Sequence, residues 1–368
     1  MSLNILNDLQ NMKKIDKGGM LSFCVELPNY CEDALKLADT VDIDYSKPET
    51  IGVAGMGGSA IGGELLKDWA RGKLKIPVEV YRNYSLPAHL NENTLLFLIS
   101  YSGETEETLS MFSDAIKKNC MIVCITSGGK LSEFAGKLGI PCLHIPSGIP
   151  PRAALPYLFI PQLILLEKMS VVSDVTSEIS ETLNVLEKLV EKNHPKVNVN
   201  QNISKDLALK IDQTSPVIYG FGPYRAVAQR YKQQFNENSK IPARWEIFPE
   251  IGHNEIEAWE KPDELAKCFS TIFLRDESEP RRISERINVS KELILKRTSQ
   301  VFELWSTGKS RLAKMLYTVS IGDFASVYLA ILRGVDPSPV RSITLLKKRI
   351  SRIGVKDKIV KEIQKFSI

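Results

Sequence analysis

Short β-rich runs alternate with helical patterns along the chain, and this alternation predicts parallel sheets covered by helices. In the first half, the pattern predicts five parallel strands, at 50–54, 78–81, 95–99, 121–126 and 142–145. They complete one domain by about residue 150. A second cycle predicts strands at 216–219, 245–247 and 270–274, after long helices over 156–192. We therefore expect an α/β fold with domains at 1–160 and 196–368, joined by a helical connector at 161–195. The second domain includes a C-terminal helix.

Two glycine pairs occupy the same strand-to-helix corner in the two halves. They are Gly55-Met56-Gly57 and Gly220-Phe221-Gly222, each directly after a β-rich run. A buried strand that ends in a polar loop also recurs, at 97–100 and 272–275. The recurrence indicates a duplicated domain whose second copy has diverged, with a chance match between two α/β halves as the alternative.

Composition and charge exclude several classes of protein. The chain has 368 residues, 43% hydrophobic and 25% charged, which is long enough for two domains and is not a disordered composition. A net charge of +4 does not require a nucleic-acid partner.

The six cysteines form no CxxC pair, so neither a disulfide framework nor a zinc site is expected. Residues 1–17 contain no signal-peptide core, and the apolar run at 155–166 is too short to span a bilayer. We expect a cytoplasmic protein without a membrane partner.

The first polar loop, residues 55–60, follows the first predicted strand. Its glycines let the backbone approach a ligand, and Ser59 supplies a hydroxyl at the start of a helix, where free N–H groups and the helix dipole bind anions. The loop also fits the dinucleotide pattern G-x-G-x-x-A, with Glu79 about twenty residues further on. A tight strand-to-helix turn without a ligand is the structural alternative.

The second polar loop follows the apolar strand at 95–99. It places the hydroxyls of Ser100, Ser102 and Thr105 before a helix that begins with acidic residues. Hydroxyls and N–H groups at a helix start suit a terminal monophosphate better than a pyrophosphate. The alternative is a capping box formed by Ser102, Thr105 and Glu106.

A strand followed by Ser-x-Ser-Gly-x-Thr, with a glycine-rich serine loop one unit earlier, resembles the sugar isomerase (SIS) domain, a flavodoxin-like fold that binds phosphosugars. Four further segments resemble the bifunctional phosphoglucose/phosphomannose isomerases, at 151–157, 235–240, 253–256 and 332–337. The resemblance implies two SIS domains and a homodimer with sites at the interface. It also implies reversible aldose–ketose isomerisation of glucose, mannose and fructose 6-phosphates, without a cofactor or metal.

The resemblance also implies a role for particular residues. The hydroxyls matching the family's phosphate-binding groups, and the glycines of the substrate loop beside them, are Ser59, Ser100, Ser102, Thr105, Gly57 and Gly58.

Four catalytic roles come from the same resemblance. Glu237 matches the base that moves a proton between C1 and C2 through a cis-enediol, and one carboxylate can both remove and return that proton. Arg152 matches the cation beside the developing enediolate. His253 and Lys347 match the groups that open the pyranose ring, although Lys348 is adjacent and helix phase alone cannot choose between the lysines.

Two other functions are compatible with the sequence. One is a dinucleotide-dependent oxidoreductase that uses the turn at 55–60, and the other is a non-catalytic SIS module that senses a sugar phosphate. A sensor needs no acid–base groups, whereas Glu237, His253 and Arg152 are all present. Without the resemblance, Glu237 would be read as a solvated acid and His253 as an exposed loop residue.

Overall fold

The predicted alternation is present in the structure, a computed structural model that describes residues 5–261, 264–298 and 300–367. The described residues divide into two compact units, which we name by their sheets. The N-sheet unit consists of Asn29–Thr176 and Val340–Ile368, and the C-sheet unit consists of Met1–Pro28 and Ser177–Pro339.

The strands and helices have the following bounds. The strands are β1 Thr50–Gly55, β2 Val78–Tyr81, β3 Thr94–Ile99, β4 Met121–Thr126, β5 Cys142–His144, β6 Ser215–Phe221, β7 Arg244–Phe248, β8 Phe269–Arg275 and β9 Gln300–Trp305. The helices are α1 Leu9–Ile15, α2 Met20–Val25, α3 Leu27–Asp39, α4 Gly58–Ala70, α5 Glu106–Lys117, α6 Gly129–Lys137, α7 Leu155–Lys168, α8 Val175–Asn193, α9 Ile203–Ile211, α10 Arg225–Gln234, α11 Arg281–Leu295, α12 Arg311–Leu332, α13 Arg341–Ile350 and α14 Val355–Gln364.

The sheet of the N-sheet unit has the strand order β2-β1-β3-β4-β5, and every pair is parallel. All residues of β3 and β4 are buried. A strand covered by helices on both faces must be apolar throughout, which is why these segments are continuous hydrophobic runs. The five predicted strands and the α/β class are confirmed.

This strand order makes the gap between β1 and β3 a topological switch point. From β1 the chain crosses to β2 on one side, and it then returns to β3 on the other side. The loops that leave the carboxyl ends of β1 and β3 therefore diverge and leave a crevice, which is where open parallel sheets bind ligands.

The last helix of the chain packs on the N-sheet unit. Ile359 and Ile363 of α14 are buried in the same hydrophobic cluster as Phe112 of α5, and Lys117 pairs with Glu362 beside them. At the other end of the chain, α2 packs against α12 in the C-sheet unit. These placements differ from the predicted boundaries at 1–160 and 196–368, because a helical pattern does not report which sheet the helix covers.

The sheet of the C-sheet unit has the order β7-β6-β8-β9, again all parallel. Its strands follow the same 2-1-3-4 order as the first four strands of the N-sheet unit. This agreement supports the duplication inferred from the glycine corners. The edge strand β9 was not among the predicted strands.

Helix α12 is the buried centre of the C-sheet unit. It is 22 residues long and apolar enough to cross a membrane by length and composition, but 89% of its most apolar window is buried inside the protein. Gly322 lets α12 approach α10, because a Cβ there would lie 2.3 Å from the Tyr231 ring. The apolarity of α12 is that of a core helix.

Candidate active site

The two polar loops singled out in the sequence leave neighbouring strands at the same level of the sheet. Gly55, at the end of β1, pairs in register with Ile99, at the end of β3. The loops at 55–60 and 100–105 therefore both open into the crevice of the N-sheet unit. The backbone N–H of Tyr101 donates to Ser59 Oγ at 3.3 Å and joins the two loops directly.

The four predicted hydroxyls lie on these two adjoining loops. Ser59 and Ser100 are buried, whereas Ser102 is exposed. Ser100 Oγ donates to Thr105 Oγ1 at 2.9 Å, so the ends of the second loop are bonded to each other. The cluster is held by contacts within the loops and presents polar groups from both of them to one crevice.

The starts of α4 and α5 lack side-chain caps. In the described part of the chain, no side chain bonds to the first-turn amides from the N-cap positions Gly57 and Thr105. The capping-box interpretation of the second loop is therefore wrong, since Ser102 Oγ instead accepts from the Glu104 N–H at 3.2 Å. At the start of α4 the amides of Ser59 and Ala60 bond to the carbonyls of Met56 and Gly57, so this end offers an anion mainly the positive end of the helix dipole. The uncapped start of α5 offers the dipole together with its first-turn N–H donors.

Arg152 lies beside the first loop. A Cβ on Gly58 would be 2.9 Å from the Pro151 carbonyl oxygen and 3.4 Å from the Arg152 nitrogen. The glycine thus allows the backbone before α7 to lie against the start of α4. Arg152 itself is buried, with 5% of its surface exposed.

A cleft of about 450 Å³ opens over the second loop. Side chains from the loop, α5, α13 and the start of α14 line it, including Ser102, Thr105, Lys347, Lys348 and Lys356. The structure thus brings the predicted Lys347 to the same cleft as two of the hydroxyls that are predicted to bind phosphate. Lys348 lines the cleft as well, so both lysines stay candidates.

Glu237 lies in the C-sheet unit, on a π-helical turn formed by Phe235–Ser239 that continues α10. Asn238 Nδ2 donates to Ser326 Oγ at 2.9 Å, and Ser239 Oγ donates to the Ser326 carbonyl at 2.6 Å. Both bonds anchor the turn to α12, and Glu237 stays half-buried at its surface. Single π-helical turns of this kind are often found at functional sites.

A buried charge cluster lies one and two turns before Glu237 on the same helix face. Arg230 Nε and Nη2 donate to the two oxygens of Asp323 on α12, at 3.0 and 2.6 Å. Gln234 Nε2 adds a third bond to Asp323 at 2.9 Å. Sequence reasoning missed this cluster, because Arg230 and Asp323 lie on different helices and carry no motif.

His253 ends a short 3-10 turn in the C-sheet unit and is exposed. The neighbouring Glu255 is fixed by the Tyr219 hydroxyl at 3.1 Å and by Arg244 Nη2 at 2.9 Å. The predicted His-Asn-Glu segment is therefore anchored through its glutamate, while the histidine remains at the surface. Its assignment as a ring-opening group stays a prediction.

Comparison with known proteins agrees with this arrangement. Residues 44–167 match the SIS domain family, and residues 200–350 match the bacterial phospho-glucose isomerase C-terminal SIS domain. The bifunctional phosphoglucose/phosphomannose isomerase of Caldicellulosiruptor bescii is 41% identical over 337 residues, which are 91% of this chain and 99% of that protein. The chain belongs to the bifunctional phosphoglucose/phosphomannose isomerase family.

A further member of the family also matches this chain over most of its length. The Aquifex aeolicus enzyme of the same name is 36% identical over 311 residues, which are 84% of this chain and 92% of that protein. Among solved structures, the C-terminal domain of glucosamine-fructose-6-phosphate aminotransferase from Francisella tularensis has a TM-score of 0.66 at 19% identity. It covers 86% of this chain and 97% of that chain, and at this identity the likeness shows the fold alone.

Family membership does not favour the two alternative functions. Glu79, the candidate ribose-binding acid, accepts a 2.7 Å bond from the Tyr81 hydroxyl and lies 3.3 Å from His89 Nε2. Among the described residues, no group of three or more His, Cys, Asp or Glu side chains could hold a metal ion.

Proposed function

We propose that this isomerase family member interconverts glucose 6-phosphate and mannose 6-phosphate with fructose 6-phosphate through a cis-enediol. The observation that carries the proposal is the crevice at β1 and β3, where two hydroxyl-bearing loops meet two uncapped helix starts. Such a site suits the compact dianion of a phosphate monoester. No step of the proposal uses a cofactor or a metal.

The 6-phosphate binds first to the two loops of the N-sheet unit. Ser59, Ser102 and Thr105 donate from their hydroxyls, and Ser100 joins them when its hydroxyl turns from Thr105 Oγ1 to the phosphate. The backbone at Gly57 and Gly58 approaches closely enough for N–H donors to contribute. Binding at one end of the sugar leaves the reacting carbons C1 and C2 free to be positioned by other groups.

Glu237 then moves the proton between C1 and C2. Rotation about the C2–C3 bond can present either face of the planar enediol to this base, so one base can connect both aldoses to the same ketose. Arg152 stabilises the negative charge that develops on the enediolate oxygens, and its burial beside the glycine loop supports a fixed position for this charge.

His253 and Lys347 open the cyclic sugar before proton transfer. Their exposure supports a role toward a bound molecule, since neither side chain is buried in its own unit. We place the active sites at the interface of a homodimer, in which His253 of one chain acts in the partner's site. The enzyme would serve glycolysis and gluconeogenesis in the cytoplasm.

The dimer proposal can be tested by mixing two inactive variants. In a mixed dimer of Glu237→Ala and His253→Ala chains, one site carries both substitutions and the other carries neither. Random reassociation of refolded chains should therefore restore roughly a quarter of wild-type turnover. If tagged mixed dimers form and stay as inactive as the parents, His253 does not act across the interface.

The proposed reaction is tested with purified protein and fructose 6-phosphate as the sole substrate. NMR should resolve both glucose 6-phosphate and mannose 6-phosphate as products, with and without prior exhaustive chelation. Formation of neither aldose would exclude the isomerase function. Loss of turnover on chelation, with recovery on addition of zinc, would exclude the metal-free mechanism.

A further inference from the structure

In the sequence, Glu104 lies between Ser102 and Thr105, two of the residues proposed to bind phosphate. Both of its carboxylate oxygens have partners. Oε1 accepts the Lys130 N–H at 2.9 Å, and Oε2 pairs with the ammonium of Lys356. A Cβ on Gly129 would lie 2.9 Å from Oε1, so glycine there leaves room for the carboxylate. Glu104 thus links the second loop to the C-terminal helix α14.

Lys356 lies in the first turn of α14, which begins at Val355. The preceding residue, Gly354, has a φ of 72° and turns the chain between α13 and α14. A cation at a helix start is disfavoured by the helix dipole, so this position calls for a local partner, which Glu104 supplies. The apolar residues Val355, Ile359, Val360 and Ile363 pack α14 on the hydrophobic cluster, and the ion pair adds a polar contact at its first turn.

Helix α13 has no comparable anchor. Within the part of the chain that the structure describes, α13 has no buried residue, and it reaches α14 through the short turn Ser351–Ile353. The direction of α13, and with it the reach of Lys347 and Lys348 into the cleft, therefore depends in part on how the first turn of α14 is held.

We infer that the Glu104–Lys356 ion pair positions α13, so that its lysine reaches the sugar for ring opening. The inference rests on the proposed function and adds two positioning residues to it. The competing interpretation is that Lys356 itself binds the substrate phosphate, with Glu104 as its resting counter-ion. The two interpretations predict different changes in substrate binding. If Lys356 bound the phosphate, removing its counter-ion Glu104 would strengthen binding.

The experiment compares steady-state kinetics on fructose 6-phosphate for Glu104→Gln, Lys356→Met and the double variant. Each single change should lower kcat roughly 10-fold, since a misplaced group loses much of its catalytic effect, with KM changed by less than about twofold. The double variant should lose no more than either single, because both changes break one contact. Lys356→Arg should restore most of kcat.

Glu362→Gln is the matched control, since it breaks the similarly exposed Lys117–Glu362 pair further along α14. It should keep wild-type kcat. Hydrogen exchange of residues 341–350 should accelerate in Glu104→Gln and Lys356→Met and stay unchanged in the control.

Three results would overturn the inference: additive losses in the double variant, KM shifts of opposite sign in the two singles, or unchanged exchange of 341–350. The exchange measurement does not depend on turnover. A wild-type protein that makes no aldose would therefore refute the proposed function while the exchange result still decides the role of the ion pair.

Discussion

Replacing Asp323 with alanine removes the acceptor of the charged bonds buried under the Glu237 turn. The side chains of Arg230 and Asp323 are only 2% and 10% exposed, and the shortest bond between them is 2.6 Å. Removing one partner of such a pair costs about 3–5 kcal/mol, because the remaining charge loses its counter-ion away from water. That is a large share of the roughly 5–15 kcal/mol that stabilises a typical domain.

Urea unfolding followed by tryptophan fluorescence measures this cost, since Trp245, Trp259 and Trp305 all lie in the C-sheet unit. The matched control is Asp206→Ala, which removes an exposed pair with Lys210 in the same unit and should cost at most about 0.5 kcal/mol.

A loss of less than about 1 kcal/mol in Asp323→Ala would mean that the pair behaves like a surface ion pair and does not anchor the helix. The same variant should also lose turnover beyond its loss of stability, since the π-helical turn carrying Glu237 continues the helix that Asp323 anchors.

Three more predictions concern the base, two of the loop hydroxyls and a buried aspartate. Glu237→Gln keeps the size of the side chain but cannot accept the proton, so kcat should fall roughly 10²–10⁴-fold while binding of a sugar phosphate, measured by calorimetry, persists. Ser102→Ala combined with Thr105→Ala should do the reverse and raise KM for phosphorylated sugars first, which initial-rate kinetics will detect. Burial opposes ionisation of Asp276, but the 2.7 Å bond from Lys314 and further donors lower its pKa below 3.8. Asp276 therefore adds stability above pH 3.8 that is lost as pH falls through its folded pKa, and thermal melts of Asp276→Asn should lose this part of the acid dependence.

Much of the fold could be predicted from local patterns. Strands β3 and β4 are continuous apolar runs because helices cover both faces of a parallel sheet. Strand β9 was not predicted, because it is a half-exposed edge strand that contains a charged residue. Its Glu303 pairs with Arg275 on β8, and a pattern of apolar residues does not report such pairing.

The candidate site, like the fold, could be predicted only in part. The hydroxyl loops could be predicted because strand, loop and helix start are consecutive in sequence, as in the segment from Ser100 to Thr105. The contacts that hold other groups join distant positions, 93 residues apart for Arg230 and Asp323 and 252 apart for Glu104 and Lys356. Such pairs follow only from the packing of one helix on another, which no local spacing encodes.

In the proposed reaction Glu237 moves a proton at C2 of a hexose 6-phosphate, and the decisive test of this step is reaction in deuterium oxide. Starting from fructose 6-phosphate, wild-type protein should form glucose and mannose 6-phosphates that carry deuterium at C2, because the protonated base exchanges with solvent before it returns the proton. Glu237→Gln should form neither labelled aldose at a comparable rate. Aldoses that form without deuterium, at a rate unaffected by Glu237→Gln, would show that Glu237 does not transfer the proton.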